Sequence, residues 1–442
     1  MARQSTSRLF SACIVLFAAL QWLATGVQVV HAKPPGKNPG PPAGHWVNTW
    51  TSMPQLTESA NLPPPPFNKT NSVFANSTIR QTIHTSIGGS QFRVRISNVF
   101  GTTDLSITQA SIALPLSGAA GVSTIQLNTL KALTFSGNAS IIIPNGGLVV
   151  SDPIDFAVGA QQMVTVSLFL AQGQPSNLVT SHPGSRTTSW FSFGNFVNAE
   201  KMTDASLQSV AHWYFLSAFE VWSPVATSAF AIVGDTLPNS SKRWPDLVLA
   251  KMQKNAATSN IAVVNQAAGG NRILADGLGP NALGRIDRDV LAQSGTKFAM
   301  IFEGVNDIGT APATVKDQQA VGDRLIQAFK QISTRVHTFG IPLFAATITP
   351  FSAPNATIQP YSDPTREATR QRINNFIKTS GIFDAVIDFD AVLKNPAIPS
   401  QLNPTFNSGD FLHPNVAGYQ AVANAFPLGI FEQFSNGVSG FE

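Results

Sequence analysis

Cysteine and charged side chains are scarce in this chain of 442 residues. The one cysteine, Cys13, lies in an amino-terminal segment that we expect to be removed, so the mature protein would have neither a disulfide nor a thiolate nucleophile. Charged residues make up 12% of the sequence, about half the usual share. This balance excludes an acidic solvating tail and a polybasic nucleic-acid-binding protein, so we predict no nucleic-acid partner.

The sequence also lacks the patterns that hold metals and phosphates. No His, Cys and acidic residues cluster at zinc-ligand spacing, and no glycine-rich loop carries the lysine of a phosphate-binding motif. We therefore predict that the protein needs no metal and no cofactor. The composition leaves the oligomeric state open.

Residues 1–32 have the pattern of a secretory signal peptide. Arg3 and Arg8 precede an apolar run from about residue 9 to 23, and Val30 and Ala32 stand three residues and one residue before the predicted cleavage site. This run is short for a transmembrane helix, and no later segment has about 20 unbroken apolar residues, so we predict no stable membrane anchor. Removal of both arginines would lower the formal net charge from +4 to +2.

Features after this segment agree with a secreted, extracellular protein. Residues 33–45 are rich in proline and glycine and predict an extended leader. Glycosylation sequons, which are compatible with a secreted glycoprotein, occur at Asn68, Asn76, Asn138, Asn239 and Asn355.

Residues 46–222 have the periodicity of β-strands. Apolar and polar side chains alternate over residues 92–97 and 164–168, as in a sheet with one buried face. Residues 88–90 predict a hairpin turn between two such runs, and turn residues at 144–147 and 151–153 separate further short strands. We predict an antiparallel β-sandwich for this region.

From residue 229 to residue 434 the pattern changes to alternating strands and helices. Apolar runs, each followed by a polar or glycine-containing turn, lie at residues 230–233, 261–264, 298–302, 343–347 and 385–387. Helix-length stretches lie at residues 244–252, 282–291, 315–337, 366–378 and 416–426. This alternation predicts an α/β domain with a parallel sheet covered on both faces.

Four predicted loops carry residues suited to acyl transfer. These loops are residues 234–236, 265–272, 304–307 and 410–414, and ligands of such sheets bind at the carboxyl ends of the strands. Acyl transfer needs a hydroxyl nucleophile, an imidazole and a carboxylate that orients it. Thr236, His413 and Asp410 are the candidates for these three roles. The N–H groups of Thr236 and Gly270 and the side-chain amide of Asn306 would form the oxyanion hole.

These blocks, in this order, resemble those of the SGNH or GDSL hydrolases, which supply Ser, Gly, Asn and a final Asp-x-x-His. The resemblance covers about residues 229–431 and implies a flavodoxin-like three-layer domain that hydrolyses carboxylic esters. Residues 46–50 and 78–81 resemble the front half of secreted two-domain members in fungi and actinobacteria. By this resemblance, the substrate is an acetylated carbohydrate or a short-chain lipid ester.

The sequence departs from this family at the nucleophile. The first block normally reads Gly-Asp-Ser, whereas the third residue here is Thr236, and the loop over residues 237–242 looks short. The methyl group of threonine restricts its rotamers and crowds the tetrahedral centre. Three alternatives therefore stay open: Ser240 or Ser241 is the nucleophile, the protein binds acylated glycans without cleaving them, or the gene model is in error here.

Structural roles also remain open for the other candidates. Thr236 or Asn306 would then cap a turn, Gly270 would permit a left-handed turn, and His413 would be a surface side chain at a helix start. Glu303 and Asp307 flank Asn306, but nothing in the sequence sets the separation that a glycosidase acid pair needs.

Overall fold

The structure, a computed structural model, describes residues 43–234 and 243–440. The predicted signal peptide and residues 33–42 of the predicted leader lie outside the described residues. So do Thr236, Ser240, Ser241 and the sequon at Asn239, and their roles remain predictions.

The amino-terminal part of the described chain consists of short strands. They are β1 (His45–Thr51), β2 (Gln55–Leu56), β3 (Ser77–His84), β4 (Gly89–Ser97), β5 (Leu105–Ile107), β6 (Gln109–Ala113), β7 (Lys131–Ala132), β8 (Ile141–Ile143), β9 (Leu148–Val150), β10 (Ile154–Val158), β11 (Met163–Leu170), β12 (Thr180–Pro183), β13 (Ser189–Phe193), β14 (Gln208–Val210), β15 (His212–Tyr214) and β16 (Leu216–Ser223).

Two antiparallel sheets dominate this region. One has the order β1-β16-β4-β10, with β9 also paired to β4, and the other has the order β14-β13-β3-β11-β6-β7. Smaller sheets are β15-β12-β2 and β5-β8. Buried side chains of both large sheets, among them Phe92 and Val94 of β4 and Ile79 of β3, belong to one hydrophobic core.

The prediction of a hairpin turn at residues 88–90 is wrong. Strand β3 pairs with β11 and β13, whereas β4 pairs with β16, β10 and β9, so the chain passes here from one sheet to the other. Alternation reveals which face of a strand is buried but not which strand lies beside it. The glycines serve close packing instead: a Cβ atom on Gly88 would lie 2.4 Å from the Val158 carbonyl oxygen, and one on Gly89 would lie 2.4 Å from a Val221 methyl group.

The carboxyl-terminal part has a five-stranded sheet in which every pairing is parallel. Its strands are β17 (Ser228–Gly234), β18 (Ile261–Asn265), β19 (Thr296–Phe302), β20 (Leu343–Ala346) and β21 (Ala385–Ile387), in the order β18-β17-β19-β20-β21. Alternate residues of β17 enter different cores: Ala231 and Val233 pack on one side, and Phe230 and Ile232 on the other. The sheet is therefore buried on both faces, as its continuous apolar runs predict.

Helices connect these strands. They are α1 (Trp244–Met252), α2 (Ala282–Ile286), α3 (Val305–Thr310), α4 (Val315–His337), α5 (Pro364–Thr379), α6 (Phe389–Leu393), α7 (Val416–Ala425) and α8 (Gly429–Gln433). The helix predicted over residues 282–291 is α-helical only as far as Ile286 and continues as a π-helical turn, Asp287–Leu291. No helix among the described residues is long and apolar enough to cross a membrane.

The antiparallel strands contact the edge of the parallel sheet. The N–H of Asn48 in β1 donates to the Ser294 carbonyl, at 2.9 Å, and the Ser86 hydroxyl donates to the Val263 carbonyl in β18, at 2.7 Å. Since β18 is an edge strand of the parallel sheet, the Ser86 bond places the amino-terminal region along that edge, and the Thr51 hydroxyl reaches the end of β18 by donating to the Asn265 carbonyl at 3.5 Å.

Candidate active site

The first loop begins where β17 ends, at the carboxyl edge of the parallel sheet. The Gly234 carbonyl accepts a hydrogen bond from the N–H of Ala268, at 3.0 Å, which joins the first and second loops. Thr236 lies two residues beyond this bond, outside the described residues. The chain is described again from Arg243, whose backbone N–H donates to the Asp246 carboxylate at 3.3 Å at the start of α1.

The second loop turns sharply at Gly270. Its φ is +72°, a conformation that side chains disfavour, so the backbone favours glycine here. An added Cβ atom would also lie 2.4 Å from Cδ1 of Leu278, although that exposed side chain can move aside. The next residue, Asn271, is almost fully buried, and its amide donates to the carbonyls of Leu278 and Pro280 at 3.0 and 2.9 Å. These bonds fix the path of the loop around Gly270.

A buried arginine supports the second loop from below. The Arg285 guanidinium in α2 donates to the Asn271 side-chain oxygen at 2.9 Å and to the Gln266 carbonyl at 2.6 Å. It also pairs with Asp289 at 2.9 Å, and both side chains are almost fully buried. The paired charge offsets the cost of desolvating the guanidinium, which leaves the loop on a rigid base.

Asn306 lies at the start of α3, in the loop that follows β19. Its Nδ2 donates to the Asn271 carbonyl at 3.0 Å, and its Oδ1 accepts a hydrogen bond from the Tyr361 hydroxyl at 3.1 Å. A carbonyl can only accept, so the amide must face Asn271 with its nitrogen. The structure therefore brings Asn306 against the residue that follows Gly270.

Asp307 is surrounded by groups that indicate a structural role. Its two carboxylate oxygens accept hydrogen bonds from the backbone N–H groups of Ile273 and Leu274, both at 2.9 Å. Burial raises the pKa of Asp307 to about 6, although these two bonds oppose the rise. Glu303, the other acid beside Asn306, is also buried, with its carboxylate 3.9 Å from Arg285. Both acids therefore have the surroundings of side chains that stabilise loops.

The fourth loop brings Asp410 and His413 into direct contact. One carboxylate oxygen of Asp410, Oδ2, lies within hydrogen-bonding distance of the His413 Nδ1. The other, Oδ1, accepts from the backbone N–H groups of His413 and Leu412, at 2.8 and 3.0 Å, and from the Ser408 hydroxyl at 2.9 Å. Burial alone would raise the pKa of Asp410, but the hydrogen bonds from His413 and Leu412 outweigh it and lower the pKa to about 2.

This contact determines the tautomer of His413. An ionised carboxylate only accepts hydrogen bonds, so the proton of the neutral ring must be on Nδ1 and the lone pair on Nε2. The helix after this loop, α7, begins at Val416, as the sequence predicts, and Asn415 caps it by accepting the Gly418 N–H at 3.0 Å. An Nε2 lone pair is what a general base for a hydroxyl needs.

Two residues of the site were missed by sequence reasoning, Gln359 and Tyr361. Tyr361 contacts Asn306 as described above, and the Gln359 amide donates to the Asp410 carbonyl at 3.0 Å. Both lie in the connection between β20 and α5, where nothing in the sequence pattern distinguishes them. The only signal is scarcity, since the chain has 3 tyrosines.

A cavity of about 210 Å³ adjoins the second loop on the side of the antiparallel strands. Its walls include Asn265 and Ala267 of that loop, the indoles of Trp50 and Trp213, and the exposed side chain of Arg186, among other residues. Trp50 and Trp213 pack edge to face, with ring centroids 4.9 Å apart. The two indoles are only 7% and 8% exposed and belong to the core, whereas the exposed Arg186 side chain offers hydrogen-bond donors to the cavity.

Metal ligands do not gather in the part of the chain that the structure describes. In residues 43–234 and 243–440, no three His, Cys, Asp or Glu side chains are placed as a metal ion would require.

Comparison with known proteins finds a family match in the carboxyl-terminal half. Residues 218–426 match the family of GDSL-like lipases and acylhydrolases. No curated protein matches the sequence. Similar solved structures include a GDSL-like lipase from Bacteroides thetaiotaomicron, which is 14% identical, with 47% of this chain and 89% of that chain covered and a TM-score of 0.34. An acetylxylan esterase from Geobacillus stearothermophilus is 18% identical, with 46% and 94% covered and a TM-score of 0.35.

Proposed function

We propose that this ester-hydrolysing enzyme, whose residues 218–426 match the GDSL-like lipases and acylhydrolases, is a secreted carboxylic-ester hydrolase that works through a covalent acyl-enzyme. The observation that carries the proposal is the contact between Asp410 and His413. It supplies an oriented base on the loop whose sequence resembles the last block of the SGNH hydrolases.

In the proposed reaction, the Thr236 hydroxyl attacks the ester carbonyl carbon while His413 Nε2 accepts its proton. The carbonyl electrons move onto oxygen, and the oxyanion accepts hydrogen bonds from the N–H groups of Thr236 and Gly270 and from the Asn306 amide. The intermediate then collapses, and the leaving alcohol takes the proton from Nε2. Water repeats these steps on the acyl-enzyme and releases the carboxylic acid. Asp410 keeps the ring oriented throughout.

The proposed substrate is an acetylated carbohydrate or a short-chain lipid ester. The exposed guanidinium of Arg186 in the cavity beside the second loop supports the carbohydrate, because a guanidinium donates hydrogen bonds to hydroxyl oxygens.

Further parts of the proposal concern the whole chain. We interpret residues 46–222 as a β-sandwich domain and residues 229–434 as a flavodoxin-like catalytic domain, supported by two antiparallel sheets and a parallel sheet of order 2-1-3-4-5. Secretion would remove residues 1–32. The sequons at Asn76, Asn138 and Asn355 are exposed, as attachment of a glycan requires. Amino-terminal sequencing of secreted protein, before and after glycosidase treatment, tests these points.

The activity is tested with purified protein and a small acetate ester. We expect wild type to release acetate and His413→Ala to be inactive, and a mass spectrum of the trapped intermediate should show an acetyl group on the peptide that contains Thr236. His337→Ala is the matched control, because His337 is also paired with an aspartate, Asp384, at 2.8 Å, but near the amino-terminal end of β20. It should retain activity while folded.

Other outcomes decide between the alternatives. If Thr236→Ser is active and wild type is not, hydrolysis by the natural chain is refuted and binding of acylated glycans becomes the better explanation, after transcript sequencing has excluded a gene-model error at residues 235–242. If neither protein cleaves any of a broad panel of esters, the proposed hydrolysis is wrong.

A further inference from the structure

One connection of the fold touches two separate catalytic blocks. Residues 354–362, between β20 and α5, are mostly exposed, yet Gln359 is only 6% exposed and Tyr361 is half-buried. An exposed loop that buries two polar side chains against the candidate active site needs a physical reason. The hydrogen bonds of those two side chains give one.

Tyr361 holds the oxygen end of the Asn306 amide. Its hydroxyl donates to Asn306 Oδ1 at 3.1 Å, while Asn306 Nδ2 donates to the Asn271 carbonyl at 3.0 Å. The Asn271 carbonyl can only accept, so it sets which end of the amide faces it, and the Tyr361 hydroxyl holds the oxygen end in place. Donation to Oδ1 also polarises the amide and strengthens its N–H groups as donors.

The ring of Tyr361 is held in place by a glycine. A Cβ atom on Gly309, in the last turn of α3, would lie 2.2 Å from the tyrosine ring, so the ring rests directly on the helix backbone there. Phe351 packs edge to face against the same ring, with centroids 6.2 Å apart. Two fixed surfaces therefore position the phenolic hydroxyl.

Gln359 links the same segment to the loop of Asp410. Its Nε2 donates to the Asp410 carbonyl at 3.0 Å, and its Oε1 accepts the Tyr361 N–H at 3.1 Å. One buried side chain thus joins the backbone of Tyr361 to the backbone of the residue that orients His413.

We propose that Tyr361 is a positioning residue that aims the Asn306 amide at the oxyanion, and that Gln359 holds Tyr361 in register with the Asp410 loop. The inference rests on the proposed ester hydrolysis. Because an oxyanion forms only in the transition state, loss of the Tyr361 hydroxyl should lower kcat and leave KM nearly unchanged. One neutral hydrogen bond corresponds to a decrease of roughly five- to tenfold.

A double-mutant cycle tests the link to Asn306. Tyr361→Phe should lower kcat in the wild-type background but have no further effect in Asn306→Ala, because the group through which it acts is gone. Gly309→Ala keeps the hydroxyl but displaces the ring, and it should resemble Tyr361→Phe. Tyr214→Phe is the matched control: it removes a phenolic hydroxyl bonded at 2.8 Å to the Asn61 carbonyl in the amino-terminal region, and kcat should not change.

Multiplicative losses from Tyr361→Phe and Asn306→Ala would overturn the proposal, since they would show that the tyrosine acts independently of the amide. So would an unchanged kcat in Tyr361→Phe. Gln359→Glu keeps an acceptor for the Tyr361 N–H but loses the donor to the Asp410 carbonyl, so it should lower kcat. An unchanged kcat would show that Gln359 has only a structural role.

A second readout does not depend on turnover. In NMR spectra of the full chain, Tyr361→Phe should shift the side-chain amide signals of Asn306, and Tyr214→Phe should not. If no ester is hydrolysed by wild type or by Thr236→Ser, the proposed function fails while this measurement still tests the contact. Unshifted Asn306 signals would overturn the positioning role whatever the activity.

Discussion

The replacement of Asp410 by asparagine is expected to reverse the tautomer of His413. In the structure, Oδ1 of Asp410 accepts hydrogen bonds from two backbone N–H groups and from the Ser408 hydroxyl, whereas the partner of Oδ2 among the described residues is His413 Nδ1. In Asp410→Asn the amide oxygen must therefore stay at the Oδ1 position, and the NH2 group must take the place of Oδ2. A donor then faces Nδ1, which becomes the acceptor, and the proton moves to Nε2.

The size of the effect follows from this geometry. A ring protonated on Nε2 cannot take a proton from the Thr236 hydroxyl, although the oxyanion hole and the fold are intact. The same change in a Ser-His-Asp triad lowers kcat by a factor of about 10⁴, which corresponds to roughly 5.4 kcal/mol of transition-state stabilisation. We expect a loss of this order in kcat, with little change in KM.

The assay is steady-state hydrolysis of a small acetate ester, in the Thr236→Ser background if wild type is too slow. Asp384→Asn is the control, because Asp384 makes the same kind of contact with His337, at 2.8 Å, away from the candidate site. If Asp410→Asn keeps more than about a tenth of the activity while His413→Ala has none, Asp410 does not set the tautomer and the reasoning is refuted.

Three further substitutions test the framework of the site. Burial raises the pKa of Asp307 from 3.8 to about 6. The protonated carboxyl therefore stabilises the fold in acid, and this stabilisation, on the order of 3 kcal/mol, is lost as the pH rises to about 6. Asp307→Asn should remove this pH dependence from urea unfolding curves. Gly270→Ala, at a φ of +72°, should cost about 1–2 kcal/mol of unfolding free energy and lower kcat. Phe230→Ala, which empties a fully buried position, should cost about 3–5 kcal/mol.

Each of these substitutions has an outcome that would contradict its premise. An unchanged pH profile in Asp307→Asn would mean that the buried carboxyl is not the group that titrates. Normal stability and activity in Gly270→Ala would show that the loop tolerates a side chain at its sharp turn. A loss below about 1 kcal/mol in Phe230→Ala would contradict the tight packing of that core.

The order of strands and helices in the carboxyl-terminal half could be predicted from sequence. Its apolar runs are long, continuous and separated by helices, and the structure has strands at each of them in a parallel sheet. The pairing of the amino-terminal strands could not be predicted, as residues 88–90 show, because strands β3 and β4 carry the same alternation but belong to different sheets.

In the candidate site, the contact between Asp410 and His413 could be predicted from sequence alone, because a spacing of three residues places them on one turn. It also selected Gly270 and Asn306 through the order of the blocks. The role of Thr236 stays a prediction from that order. In contrast, Gln359 and Tyr361 follow from no local pattern, since their partners Asp410 and Asn306 lie about fifty residues away in the chain.

The amino-acid sequence by itself determined what depends on neighbours along the chain: the strand and helix periodicities, the turn that pairs an acid with an imidazole, and the glycine at the sharp bend of the second loop. Only the tertiary structure decided what depends on contacts across the fold. It gave the direction in which the Asn306 amide points, the buried guanidinium of Arg285 beneath the second loop, and the hydrogen bonds of Tyr361. Those contacts join residues that no spacing rule relates, and their geometry exists only once the chain has packed.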